Sequence, residues 1–363
     1  MFQIRYLLLC ISFKYLINYL LKLLSHLYYS FHFFTNKKSI STFISLSLFS
    51  FNQSVFCQTL IPLAESAFES QLPFNTEYIK KENIKSITFE ILDKKDLEVA
   101  EDKGLLNYYE FYPTGKLKRY FYTTISKIIQ KEFYSEPIYK RGRKISNGHS
   151  YTKNHYILDT ISTFYFYENS SNQLSIKRYN EGSYYETFYY TYFKDGNQQS
   201  EKRCKETNLA ESKNDFKLGV QYILSEESYS YTPISTNQLK KKCINNEGRP
   251  YKDIIINTNN SKQLVSTNEQ YIATWIKQES SFTYNSKGQL TSAFYKSNTG
   301  SELTEKRTYE YDANDCLLTE RKYKNDVLLQ ETSYVTDSNK RLNSYIIRDS
   351  ANKSLRIVKL FYN

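Results

Sequence analysis

Glycine and proline are scarce, at 10 and 6 of 363 residues, and the chain holds one tryptophan and one methionine, Met1. Turns must then be built mostly by Asn, Asp and Ser, which tolerate left-handed backbone or bond their own main chain. Five cysteines and four histidines, with no CxxC pair among them, do not form a zinc pattern. Neither a GxSxG turn nor a phosphate-binding glycine loop occurs. The sequence therefore identifies no catalytic, cofactor-binding or metal-binding set.

What the chain has instead is tyrosine and phenylalanine, 36 and 23 residues. Aromatic side chains suit a half-buried pleated surface, and tyrosine adds a polar tip to an apolar body. The net charge is +11, and residues 1–57 supply Arg5, Lys14, Lys22, Lys37 and Lys38 of it with no acid. The excess left after residue 58 is mild and spread along strands. That argues against a nucleic-acid partner, which wants a concentrated basic face.

The N-terminal region reads as an export signal. Lys37 and Lys38 precede an apolar run from Ile40 to Phe51, and Val55 and Cys57 stand at −3 and −1 of a cleavage site before Gln58. A lipidated Cys57 is the competing reading, with Phe56 a poor neighbour for it. Ahead of this signal, residues 1–35 are apolar, and Leu16 to Phe34 nearly makes a membrane span, interrupted by Lys22 and His26. They are either a membrane anchor or an extension upstream of the natural start. On both readings the part after residue 58 lies outside the cytoplasm.

The C-terminal third carries a repeat. Phe282-Thr-Tyr284-Asn-Ser-Lys-Gly288-Gln-Leu290 is followed by Tyr309-Glu-Tyr311-Asp312-Ala-Asn-Asp315-Cys-Leu317, then by Tyr334-Val-Thr336-Asp-Ser-Asn-Lys340-Arg-Leu342. Looser copies lie at 111–117, 165–174, 192–197 and 229–239. Aromatics at i and i+2 share one face of a strand. Asn, Asp or Gly then supplies the positive φ that reverses the chain, and Leu opens the return strand. Two strands and two turns per roughly 25 residues make a β-hairpin unit, and consecutive units make a meander.

This pattern resembles the tyrosine–aspartate (YD) repeats of bacterial secreted and surface proteins, carried by Tyr284, Asn285, Gly288 and Leu290 and by Tyr309, Tyr311, Asp312 and Leu317. The match is best over residues 279–345. Asp315 stands where that family places glycine, and the usual Arg before the leucine is missing. The resemblance implies a β-strand array without implying a sealed shell.

The expected fold is thus all-β: an antiparallel meander or open repeat array of about 25-residue hairpin units behind an N-terminal hydrophobic helical signal region. The expected divisions are a leader over 1–35, a signal peptide over 36–57 and a linker or short helix over 58–83. A first β segment follows over 84–135, a basic loop or boundary over 136–160, and the repeat segment over 161–363. Polar stretches at 207–217 and 257–268 read as interruptions. Asp312 reads as a turn residue, and the turn set is Tyr284, Gly288, Leu290, Tyr311, Asp312 and Leu317. Cys204 and Cys243 are the pair to bridge if any disulfide forms, leaving Cys316 over. His149 and His155 match no ligand spacing. The cluster from Lys140 to Lys144 reads as a solvated loop. In Thr304 to Tyr311 neither face would sit in lipid, which excludes a membrane barrel.

The function these features suggest is an exported, non-enzymatic surface or periplasmic module, binding an unknown protein or glycan at the cell envelope. Its contact with membrane would run only through the N-terminal region. The alternatives are a glycan hydrolase with a carboxylate pair on the sheet, or a membrane-anchored envelope component.

Overall fold

The computed structural model describes residues 58–363, apart from residues 70, 96–99, 147, 149, 170, 181, 211–214, 300 and 352. The signal region and His149 lie outside the described residues. Among the described residues there is one short helix, α1 (Thr76–Lys81), capped at its N-terminus by Asn75, whose side chain accepts from the Tyr78 amide.

Twenty strands follow. The first group is β1 (Ser86–Lys94), β2 (Glu101–Phe111), β3 (Leu117–Tyr134), β4 (Ile138–Lys140), β5 (Arg143–Ser146), β6 (Ser150–Tyr167) and β7 (Leu174–Asn180). Next come β8 (Tyr185–Tyr192), β9 (Gln198–Asn208), β10 (Leu218–Ser235), β11 (Gln238–Asn245), β12 (Pro250–Thr258), β13 (Leu264–Tyr271) and β14 (Lys277–Tyr284). The last are β15 (Leu290–Ser297), β16 (Leu303–Tyr311), β17 (Leu317–Lys324), β18 (Val327–Thr336), β19 (Leu342–Asp349) and β20 (Ser354–Tyr362).

Eighteen of these form one antiparallel sheet, and β4 and β5 pair apart as a small hairpin. Residues 136–160 thus hold that hairpin and the first part of β6. The sheet runs strand to neighbouring strand from β1 to β20, and β20 then pairs with β1 over Ile87↔Tyr362 to Lys94↔Leu355. Every strand of the sheet has two partners, so it is a closed barrel. This corrects the open array. The repeat sets strand-to-strand pairing and says nothing about whether the last strand finds the first, which is a contact between residues some 270 positions apart. Closure leaves the ring itself without an edge strand to template aggregation, while the β3–β6 ribbon and the β4–β5 hairpin project beyond it with free edges among the described residues.

A ring of eighteen strands is too wide for its own side chains to fill. Residues 58–84 occupy one end of the lumen. Phe68 lies 6.5 Å from Phe282 and 5.7 Å from Tyr295, while Phe74 lies 4.8 Å from Tyr109 and 5.1 Å from Phe111 (ring centroids). Contacts with β14 and β15 together with contacts to β1 and β2 place this plug across the lumen. It is fixed by hydrogen bonds as well. The Leu317 amide donates to Gln58 Oε1 at 2.8 Å, the Leu342 amide to Thr59 Oγ1 at 3.1 Å, and the Tyr165 hydroxyl to Gln71 Oε1 at 3.0 Å. Ile79, Ile87, Phe89, Leu290, Ala293 and Val358 form the most buried part of the resulting core. Phe282, Tyr309, Tyr334 and Tyr345 in that core define the inward face of each strand, and the alternate residues face out.

Candidate functional site

The two ends of the barrel are built differently, and the repeat explains one of them. In the corner after β14, the Asn285 amide donates to Gln289 O and the Gly288 amide to Asn285 O, both at 3.0 Å. Asn285 Oδ1 accepts from the amides of Lys287 and Gln289. Gly288 takes φ +81. The corner after β16 repeats each bond, with Asp312 Oδ1 accepting from Asn314 and Cys316 and with Asp315 at φ +67 in the glycine position. A carboxylate or amide at the first position thus binds two main-chain amides, which is the physical content of the D in the YD-like pattern.

The remaining motif residues join corner to corner. The Tyr284 hydroxyl donates to Leu264 O at 2.6 Å, Tyr311 to Leu290 O at 2.8 Å, and Tyr362 to Leu342 O at 2.5 Å. Leu290 and Leu317 are buried at 1% and 5% exposure under the plug. A second ladder, which the sequence reading missed, runs through glutamine. Gln173, Gln263 and Gln289 each donate Nε2 to the carbonyl of the positive-φ residue of the next corner, Gly196, Gly288 and Asp315. The signal was present as a recurring Gln-Leu pair. Residues 257–268 belong to the same scheme: Asn259 to Gln263 form a full corner with Lys262 at φ +62. Ile256 and Thr258, standing where the clear copy has Phe282 and Tyr284, hid it.

At the opposite end the lumen is open and polar. A recess of about 560 Å³ is bounded by β1, β2, β6 and β18 to β20. Within it Arg356 Nε donates to Asp93 Oδ1 at 2.8 Å and Lys103 Nζ to Asp93 Oδ2 at 3.3 Å. Burial works to raise the Asp93 carboxyl, and the hydrogen bond and charge of Arg356, with Lys103, outweigh it and hold the carboxyl below its ordinary value. Tyr156 donates to Glu101 beside them. Across the lumen, on β12 and β13, Lys252 pairs with Glu269 at 2.9 Å, and nearer the corner end of the same wall Lys241 lies 3.7 Å over the Tyr229 ring with its pKa lowered by burial. Glu201 and Glu227 stand directly opposite each other in the β9–β10 register on this wall. That is the placement a two-carboxylate hydrolase would draw on. The mouth as a whole offers alternating cations, carboxylates and phenols, a surface able to hold a polar, hydroxylated or zwitterionic ligand.

The other predicted residues lie elsewhere. His155 is exposed on the long β3–β6 ribbon, paired in register with Ile129. Lys140, Arg141, Gly142, Arg143 and Lys144 are exposed at the tip of the β4–β5 hairpin. Cys204 and Cys243 are buried free thiols. Their register partners on the strand between them, Ile223 and Tyr229, are six residues apart. At about 3.3 Å per residue this separates the cysteines far beyond the roughly 4.4–6.8 Å Cα spacing of a disulfide. The expected bridge is therefore corrected to two separate thiols. Among the described residues no group of three or more His, Cys, Asp or Glu is placed to hold a metal ion.

No family model matches the chain, and no curated protein matches it. Among solved structures it is similar to a porin-like protein from Bacteroides uniformis ATCC 8492, at 10% identity and TM-score 0.33 over 77% of this chain and 98% of that one. A porin-like protein from Bacteroides vulgatus ATCC 8482 matches at 10% identity and TM-score 0.30, over 76% and 97%. The TcdB2-TccC3-Cdc42 structure matches at 14% identity and TM-score 0.25, over 66% of this chain and 12% of that one. The closure of the barrel rests on its own register.

Proposed function

We propose that this chain is an exported, water-facing barrel of the cell envelope that acts as a non-enzymatic binding or structural module, with the open polar end of the lumen as its working face. The observation that carries this is the outer wall. Glu90, Glu226, Glu279, Lys306, Glu310 and Lys359 are exposed on outward positions of β1, β10, β14, β16 and β20. A barrel in lipid needs an outward apolar band about 25 Å tall, and a charge at mid-depth costs about 2–4 kcal/mol. The ring is complete within residues 58–363, so that stretch can be prepared alone. It is expected to stay soluble without detergent and to sediment away from lipid vesicles in a flotation gradient. Flotation with the vesicles would contradict the reading.

A second reading, an envelope component held at a membrane by its leader, is favoured by the apolar run from Leu16 to Phe34. Mass spectrometry of the N-terminus in cells separates the two. A start at Gln58 removes the anchor, and a start within residues 1–35 keeps it.

A further inference from the structure

The outer wall carries a deep irregularity beside the β9–β10 connection. Glu110, Arg119, Phe164, Arg178 and Thr187 stand side by side in register across β2, β3, β6, β7 and β8. Over this row opens a cavity of about 470 Å³, bounded also by Phe166 and by Asp215 and Phe216 from the β9–β10 connection. A volume of this size suits a ligand of one or two rings.

Its two guanidinium groups are used differently. Arg178 is neutralised from behind. Its Nε donates to Thr187 Oγ1 at 3.1 Å and to Glu206 Oε2 at 3.3 Å, and Glu206 is itself fully buried. Burial works to raise the Glu206 carboxyl, but bonds from Thr187, Tyr189 and Gln221 and the Arg178 charge hold it below the ordinary range. The Arg178 guanidinium lies 3.5 Å over the Phe216 ring, and that ring meets Tyr185 edge-on at 5.2 Å. Arg178 thus fixes an aromatic wall. Arg119 has no ion pair with any carboxylate among the described residues. It lies between the rings of Phe121 and Phe164, at 5.1 and 5.3 Å, and its one side-chain bond is to Ser162 Oγ at 3.4 Å. Glu110, its register neighbour, is taken by Lys118 at 2.6 Å. The cavity therefore presents one uncompensated planar cation, ring faces from Phe164, Phe166 and Phe216, and carboxylate acceptors on Glu110 and Asp215.

We propose that this cavity binds an acidic sugar, a hydroxylated ring carrying a carboxylate. The guanidinium of Arg119 matches a carboxylate with two parallel N–H donors. Phenyl faces cover the apolar face of the ring. Glu110 and Asp215 accept from its hydroxyls. A neutral sugar lacks the first contact, and an aromatic acid lacks the last. The inference rests on the outer wall facing water, as the proposed function has it.

Isothermal titration of residues 58–363, the stretch that holds the whole ring, with methyl β-glucuronide, methyl β-glucoside and benzoate tests it, read beside vesicle flotation of the same preparation. Methyl β-glucuronide is expected to bind saturably and at least tenfold more tightly than the other two. Arg119→Gln should weaken it at least tenfold. Phe166→Ala, at a ring already 39% exposed and so harmless to the fold, should weaken it severalfold, and Lys306→Gln should leave it unchanged. Absence of saturable glucuronide binding, equal binding of the glucoside or benzoate, or full affinity in both the Arg119 and Phe166 variants overturns the proposal. A chain that fails in this way but stays off vesicles leaves the proposed function standing, whereas one that floats with vesicles loses both.

Discussion

The corner end and the open end of this barrel follow different rules. At the corner end, turn after turn repeats one set of main-chain bonds, and tyrosine and glutamine ladders tie each turn to the next. The plug fills the lumen there with apolar side chains. At the open end the connections range from the two-residue turn at Asn325-Asp326 to the excursion carrying β4 and β5, and β3, β6 and β10 each extend to 18 residues. Ion pairs replace the apolar core. The contrast teaches that the repeated motif is a packing device. Its conspicuous residues hold a ring together, and the surface free to recognise something lies where the repetition stops.

That contrast is breakable in order of size. Removing the fully buried ring of Phe89, which faces the plug, should cost about 3–5 kcal/mol in chemical denaturation of a Phe89→Ala variant. A loss under 1 kcal/mol would mean that the plug does not pack there. Gly115→Ala should also be severe. The glycine sits at φ +82, and an added Cβ would come within 2.1 Å of the Thr76 carbonyl oxygen at the start of α1. The variant should unfold earlier and show faster proteolysis of residues 58–84. Tyr311→Phe deletes one rung, the bond to Leu290 O, and should cost about 1–2 kcal/mol by leaving that carbonyl unpaired. At the open end, Glu101→Gln should change stability by less than about 1 kcal/mol, because its ion pair is part exposed.

Proton linkage separates the ends as well. Burial first, then the Glu65 charge, pushes Tyr284 up to about 12, and burial with the neighbouring Cys243 and Asp195 does the same to Tyr231. Unfolded tyrosine titrates near 10. The folded values are raised, so their contribution is fully present below pH 10 and is lost as pH rises towards 12. Asp93 at the open end is shifted down. Its contribution is present above about pH 4 and is lost as pH falls through the lowered folded value. With tyrosines around the whole corner end, alkaline melting should show the larger loss. A flat stability profile from pH 9 to 12 would contradict the burial of those rings.

The sequence made the hairpins legible because their causes are local. Tyr309 and Tyr311 are two apart, Asp312 binds the amides that follow it, and Leu317 opens the return strand. Closure has no local cause. It depends on Ile87 meeting Tyr362, and nothing near either residue encodes the other. The plug was equally hidden, since Leu60 to Leu72 reads as a linker until a lumen exists for Phe68 and Phe74 to enter. The outer-wall cavity was hidden as well, though not by closure, since β2, β3, β6, β7 and β8 are successive neighbours in the sheet. Its row draws Glu110, Arg119, Phe164 and Arg178 from four strands spread over 69 positions, with no motif joining them.

The β1–β20 seam offers the most direct test. Thr88 and Phe361 are register partners on its outward face, at the roughly 4.5–5.5 Å Cα spacing of paired strands, which lies within the range a disulfide spans. A Thr88→Cys, Phe361→Cys double variant, oxidised mildly and run without reductant, should form an intramolecular bridge as completely as a control pair inside one hairpin, Ser281→Cys with Phe294→Cys. A control that bridges while the seam pair stays reduced would show the first and last strands apart, and with them the barrel open.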